Sequence, residues 1–190
     1  MRTRLILISH AATPAMREGR FPADDPLDAR GIADATASRQ SMPIDADALA
    51  LCSPATCALE TAHALGLAVR ITTELAEANY GRWRGRRLAD IAVDAPSKAQ
   101  AWSCDPDTVP PDGESFDQVL ARVGRWLDNL DETGNVVAIT HASVIRAAVI
   151  HALNAPSSSL TRVEVAPLSV IELRRSGRGW AWWPAQSRSR

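Results

Sequence analysis

Two short apolar runs constrain this chain more than any other feature, because each one ends on a histidine. The first, Arg2 to Ser9, holds Leu5-Ile6-Leu7-Ile8 and leads into His10; the second, Asn135 to Thr140, leads into His141. Apolar runs of this length without polar alternation read as strands buried on both faces, the kind found centrally in parallel sheets. With 190 residues and 46% hydrophobic content, the chain is long enough to bury one substantial core without disulfides. The expected fold is a three-layer α/β/α sandwich with a mostly parallel central sheet, built as one domain over residues 1–190. Such sheets bind ligands beyond the carboxyl ends of their strands, which would bring His10 and His141 to one pocket. Either histidine by itself reads equally well as a polar residue at a strand end.

Other segments fill in the alternation. Ala29 to Gln40 reads as a helix, Ala48 to Cys52 as a strand, and Ser53-Pro54 as an N-cap with proline at the first helical position, the helix running through Leu65 to Gly66. Ala68 to Thr72 suggests another short strand. Residues 74–111, rich in glycine, proline and charge, read as an irregular insertion with short helices beside the sheet edge. From Ser115, apolar residues recur at spacings of three and four up to Leu130, and Ser115 with Gln118 matches a capping box. A helix containing Val144, Ile145, Ala148 and Val149 follows His141. Arg162 to Val165 and Leu168 to Arg174, separated by Ala166-Pro167, suggest a sheet-edge hairpin. Trp180, Trp182 and Trp183 then either cover a sheet edge or form a homodimer contact, and Arg174, Arg175, Arg178, Arg188 and Arg190 make a basic, solvated C-terminal tail.

Composition narrows the partners. A formal net charge of −1 supplies no field for nucleic acid or an acidic membrane surface, so a small molecule is the expected partner. No signal-peptide pattern or membrane-length apolar run occurs, and three cysteines argue against a disulfide framework; the cytoplasm is the expected compartment. No pair of histidines or cysteines has metal-ligand spacing, so no metal and no cofactor is expected. His63 and His151 read as packing or surface residues, and Cys57 as a small buried residue in preference to a reactive thiol.

In sequence order, Ser9-His10-Ala11 with Thr13, Asp24-Asp25-Pro26-Leu27-Asp28 with Gly31, Cys52-Ser53-Pro54 with Thr61-Ala62, Leu75-Ala76-Glu77 with Gly81-Arg82-Trp83-Arg84-Gly85, Pro111-Asp112-Gly113-Glu114-Ser115, and Thr140-His141-Ala142 with Val144-Ile145-Arg146 resemble the motifs of the histidine phosphatase, or phosphoglycerate mutase-like, superfamily. The resemblance spans nearly the whole chain. It implies hydrolysis of a small phosphorylated metabolite in which His10 attacks the phosphoryl group, Glu77 donates a proton and His141 binds phosphoryl oxygens. Ser9, Thr13, Cys57 and Ala142 would line the phosphate cradle.

The departures are specific. The family's arginines before the first histidine and after the Ser-Ser-Pro segment are replaced here by Ser9 and, by the family's spacing, Cys57. Losing one preorganised donor typically costs about 10²–10³ in rate, and losing two roughly 10⁴ if the effects multiply. Arg17 or Arg20, in the loop after His10, or Arg82 and Arg84, beside Glu77, are the candidates to restore the charge; solvated loop arginines are their alternative reading. The competing functions are a catalytically degenerate fold that binds a ligand or protein, and acid/base chemistry on a substrate without phosphate. Mutase activity fits least, since it needs more cationic clamping than the sequence displays.

Overall fold

A computed structural model describes residues 3–184, and its centre is the first of the two histidine-bearing strands. The strands are β1 (Thr3–Ser9), β2 (Leu49–Cys52), β3 (Arg70–Ile71), β4 (Gly134–Thr140), β5 (Val170–Ser176) and β6 (Gly179–Trp183), in the order β3-β2-β4-β1-β5-β6. The β3-β2, β2-β4 and β4-β1 pairs are parallel, and β5 and β6 complete the sheet antiparallel. Main helices are α1 (Pro14–Arg17), α2 (Ala29–Ser38), α3 (Thr56–Ala64), α4 (Leu88–Asp94), α5 (Pro96–Cys104), α6 (Phe116–Asp128) and α7 (Ala142–Ala152).

The absence of polar alternation in β1 and β4 has a direct structural cause. Leu5, Leu7, Val136 and Ala138 pack with α6 and α7 on one face, while Ile6, Ile8, Val137 and Ile139 pack with α3 on the other. Both faces are therefore dry, and a continuous apolar run is what such strands require. α6 starts at the capping box expected from Ser115 and Gln118 and buries Val119, Val123 and Leu127. Against it, Gly124 lets His151 of α7 approach so closely that a Cβ would sit 2.7 Å from the imidazole Nδ1; His151 also pairs with Asp128 at 2.9 Å.

Four readings of the sequence are corrected. Ser53 does not cap α3; Ala55 holds that position without a side-chain cap. Arg162 to Val165 is not a strand, because a 3-10 segment runs from Ser157 to Arg162 and the edge hairpin is β5-β6 instead. Leu168 adopts φ of 60° while its amide donates to Ser9 O, so pairing as a regular strand begins at Val170. Arg174 and Arg175 belong to β5 rather than to a solvated tail: Arg174 meets buried Glu172 at 2.6 Å and stacks over Trp183, and Arg175 donates to the Leu130 and Asp128 carbonyls. Arg188 and Arg190 lie outside the described residues. In the insertion, α4 and α5 pack on each other, where Ile91 and Ala99 join Phe21, Trp83, Tyr80 and Trp102 in a separate cluster.

One glycine ties the fold to the strand ends. Gly31, in the first turn of α2, passes so close to the loop after His10 that a Cβ would lie 2.4 Å from Ala12 O. Alanine favours a helix interior over glycine by about 1 kcal/mol, yet Gly31→Ala should lower both the melting temperature and turnover, because the clash is with backbone. A thermal melt and a kcat/KM measurement check this; an unchanged or raised melting temperature with full activity would contradict it.

Candidate active site

Register brings the histidines together. Ser9 pairs with Thr140 across β1 and β4, and Cys52 of β2 pairs with Ile139, so the three strands end level. The next residues, His10, His141 and Ser53, emerge side by side, with His10 N donating to Thr140 O and Ser53 N to Ile139 O. The rings of His10 and His141 lie edge to face with centroids 5.0 Å apart, and both residues are buried. They form the floor of a cleft of about 600 Å³.

Each functional side chain is fixed from behind. His10 Nδ1 lies 2.7 Å from Ala11 O, so it donates there and leaves Nε2 with its lone pair. Thr61 Oγ1 in turn accepts from Ala11 N at 3.0 Å, anchoring that loop to α3. Burial, and then the neighbouring His141, hold the His10 imidazole below its ordinary pKa, which keeps it neutral and nucleophilic. His141 Nε2 meets Ser53 Oγ at 2.7 Å, while its Nδ1 faces Glu77 Oε2 at 3.3 Å without an aligned hydrogen bond. Glu77 Oε1 accepts from Ala78 N at 2.8 Å and from the Ser143 hydroxyl. The segment carrying Glu77 is braced from two sides: Thr140 Oγ1 donates to Leu75 O, and Arg122 donates to the Glu74 and Ala76 carbonyls. Burial alone would raise the pKa of Glu77, but the His141 imidazole and the hydrogen bonds from Ser143 and Ala78 hold it at about 2.

The cleft wall contains Ser9, Thr13, Arg20, Cys57 and Ala142 beside His10, Glu77 and His141. Thr13 also caps α1, its Oγ1 accepting from Met16 N at 3.3 Å. Ala142 opens α7, whose N-terminal dipole favours negative charge near it. Burial, and then the charge of Glu77, push the Cys57 thiol up to about 12, so it is a neutral wall residue. Arg17 is not part of this wall; it pairs with Asp28 at 2.9 Å. Arg20 lines the cleft but is shared between Glu18 at 2.8 Å and Asp25 at 3.8 Å. Arg82 is exposed and paired with Asp112, outside the wall. Arg84 lines the cleft and has no ion-pair partner among the described residues.

Sequence reasoning read Ser53 as a helix cap, placed Thr61 only within a family motif and gave Ser143 no role, so none of the three was assigned to the site. Each acts through a single hydrogen bond to a residue distant in sequence, a signal that local pattern does not carry.

Two adjacent parallel strands that each end on a buried histidine, with a carboxylate beside one of them, define an α/β site equipped for nucleophilic or acid/base chemistry at its strand ends. Comparison with known proteins agrees: a model of the histidine phosphatase superfamily (branch 1) matches residues 5–183, and the chain belongs to that family. Over 125 residues it is 35% identical to the bifunctional protein Rv2228c of Mycobacterium tuberculosis, covering 63% of this chain and 34% of that protein, so the chain spans about a third of the length of that relative. It is 29% identical to the adenosylcobalamin/alpha-ribazole phosphatase of Salmonella typhimurium, covering 90% of each. The native structure of mycobacterial glucosyl-3-phosphoglycerate phosphatase Rv2419c superposes with a TM-score of 0.81 at 25% identity, covering 98% of this chain and 100% of that one.

Proposed function

We propose that this chain is a phosphatase that hydrolyses a small phosphorylated metabolite through a phosphohistidine on His10. The observation that carries the reading is the pairing of a neutral, oriented His10 imidazole with His141 and Glu77 at the floor of one cleft. In the first step His10 Nε2 attacks phosphorus, the P–O ester bond breaks, and the leaving oxygen takes a proton from the Glu77 carboxyl. In the second, water attacks phosphorus, Glu77 accepts its proton, and the P–N bond breaks to release phosphate and His10. His141 Nδ1, Thr13 and the backbone at Ala142 hold the phosphoryl oxygens.

Glu77 is ionised in the empty site at neutral pH, so the proton it donates must arrive with the substrate. A phosphate monoester is partly monoanionic near pH 6, which supplies that proton. The cleft is large for phosphate alone, and its walls include Met16, Pro22, Pro54 and Tyr80. These surfaces suit an organic group the size of a glycosyl or ribosyl unit, in keeping with the ribazole and glucosyl compounds named for its relatives. The cysteines are unbridged and no described helix is long and apolar enough to cross a membrane; we assign the chain to the cytoplasm, with a small molecule rather than nucleic acid as partner.

Ser9 and Cys57 leave the cleft short of fixed positive charge, and among the described residues Arg84 is the cleft-lining cation without an ion-pair partner, placed to supply it. A charged hydrogen bond is worth roughly 1.5–3 kcal/mol, so Arg84→Ala should lower kcat/KM and weaken inhibition by phosphate about tenfold or more. Arg20→Ala should do less, and Arg17→Ala nothing. Equal inhibition constants for wild type and Arg84→Ala would remove Arg84 from the site. Turnover across a panel of phosphate monoesters tests the function itself. Saturable ligand binding by folded protein with no hydrolysis of any of them would favour instead the degenerate, ligand-binding reading that Ser9 and Cys57 invite.

A further inference from the structure

One of the two departures that remove cationic clamps, Cys57, completes an unusual set of donors in the cleft. His10, Cys57 and His141 are all buried, and one ligating atom from each lies within 4.8 Å of the other two. Both imidazoles have one nitrogen tied back, His10 Nδ1 to the Ala11 carbonyl and His141 Nε2 to the Ser53 hydroxyl. That is how metal-binding imidazoles are oriented, with the second nitrogen left for the ion. The remaining atoms are His10 Nε2 and His141 Nδ1, the latter fully buried and without a hydrogen-bond partner. Facing the Glu77 carboxylate or a phosphoryl oxygen, His141 Nδ1 bears hydrogen; to take a metal it gives that hydrogen up, adopting the tautomer that donates from Nε2 to Ser53 and leaves the Nδ1 lone pair for the ion. Two imidazoles and a thiolate form a borderline-soft set of the kind that holds zinc and leaves a fourth position open. Glu77 Oε2, 3.3 Å from His141 Nδ1, adds negative charge beside it.

We propose that His10, Cys57 and His141 bind a borderline-soft divalent cation, zinc above all, and that the bound ion blocks phosphoryl transfer by occupying the lone pair of His10 Nε2. Binding forms one bond from the metal to each imidazole nitrogen and one to sulfur, with the Cys57 thiol proton released to solvent. Ligand atoms around tetrahedral zinc are roughly 3.3–3.8 Å apart, so the set must close by about 1 Å, within the range of side-chain rotation. The ligands come from the ends of β1 and β4 and from α3, which is why no short ligand spacing marks them in the sequence. Metal binding stands independently of the proposed phosphatase activity; only the inhibition rests on it.

The test uses the full chain, stripped with a chelator and titrated with cobalt(II) as a spectroscopic stand-in for zinc. The expected result is a thiolate-to-cobalt charge-transfer band that saturates at one equivalent and is displaced by zinc. The band should be lost in Cys57→Ser and Cys57→Ala, each checked for folding by circular dichroism, and kept in Cys104→Ser, which alters the exposed cysteine. Zinc should inhibit turnover reversibly, and in Cys57→Ser, measured against its own metal-free rate, the inhibition constant should rise about 100-fold or more. No band in the folded wild type, or a band that survives both Cys57 variants, would overturn the proposal. A band without turnover under any condition would retain the metal site and reject the phosphatase; turnover indifferent to zinc, with no band, would do the reverse.

Discussion

His10→Ala should reduce hydrolysis of every phosphate monoester the chain accepts by about 10⁴-fold or more, since loss of a nucleophile leaves only binding and electrostatic stabilisation. The structure gives a reason for expecting so large a loss. His10 Nε2 is the one nitrogen at the cleft floor with its partner hydrogen bond already fixing the tautomer, through Ala11 O at 2.7 Å. Burial keeps the ring neutral, so the acid limb of kcat/KM should lie below the ordinary histidine value of about 6.5. Below that limb the imidazole is protonated and has no lone pair to offer. A panel of esters assayed with both proteins, under chelator and with folding verified, measures the effect. Activity that survives in the variant would place the nucleophile elsewhere.

The second large effect concerns Glu77. General acid catalysis contributes typically about 10²–10⁴ in rate, so Glu77→Gln should lose turnover in that range with alkyl phosphates, whose alkoxide must be protonated as it leaves. Nitrophenyl phosphate departs as a stable anion, and its loss should be much smaller. The carboxyl sits at about pKa 2 in the empty site, so its proton depends on a monoanionic substrate, and kcat/KM for alkyl esters should fall as pH rises past the second phosphate ionisation near 6. In Glu77→Gln that alkaline fall should flatten. Equal losses with both classes of ester would assign Glu77 to binding alone. For stability Glu77 and the depressed His10 imidazole act in the same direction: a carboxyl depressed in the folded state stabilises above its unfolded value of about 4.3 and loses that contribution as pH falls toward 2, and His10 likewise stabilises above the ordinary histidine value and loses its contribution as pH falls.

Much of this arrangement was legible in the sequence because it is encoded locally. Apolar runs without alternation marked β1 and β4, and the Ser115 and Gln118 pair marked the start of α6. The histidine, Glu77 and Pro111–Ser115 motifs carried the family. What was not legible depends on contacts between distant segments. Ser53 reads as a helix cap until His141 is found 2.7 Å from its hydroxyl. The β-branched run ending at Val165 reads as a strand, but the chain is captured next by the end of β1, through Leu168 N to Ser9 O, and turns through a left-handed residue before it can pair. Arg17, Arg20, Arg82 and Arg84 were equivalent as sequence; Asp28, Glu18, Asp25 and Asp112 take the first three, and only folding shows that Arg84 is left at the cleft. Cys57 looked inert on its own and gains meaning only from the two imidazoles beside it.

The most direct test of the central claim is to trap the covalent intermediate. The folded chain is mixed with a 32P-labelled monoester that it turns over, quenched in alkali within the first turnover, and its protein-bound label is followed by mass spectrometry. Label on His10, stable in base, released in acid and absent from His10→Ala, is the result expected. Turnover with no label on His10 at any time point, or label that persists in His10→Ala, would contradict it.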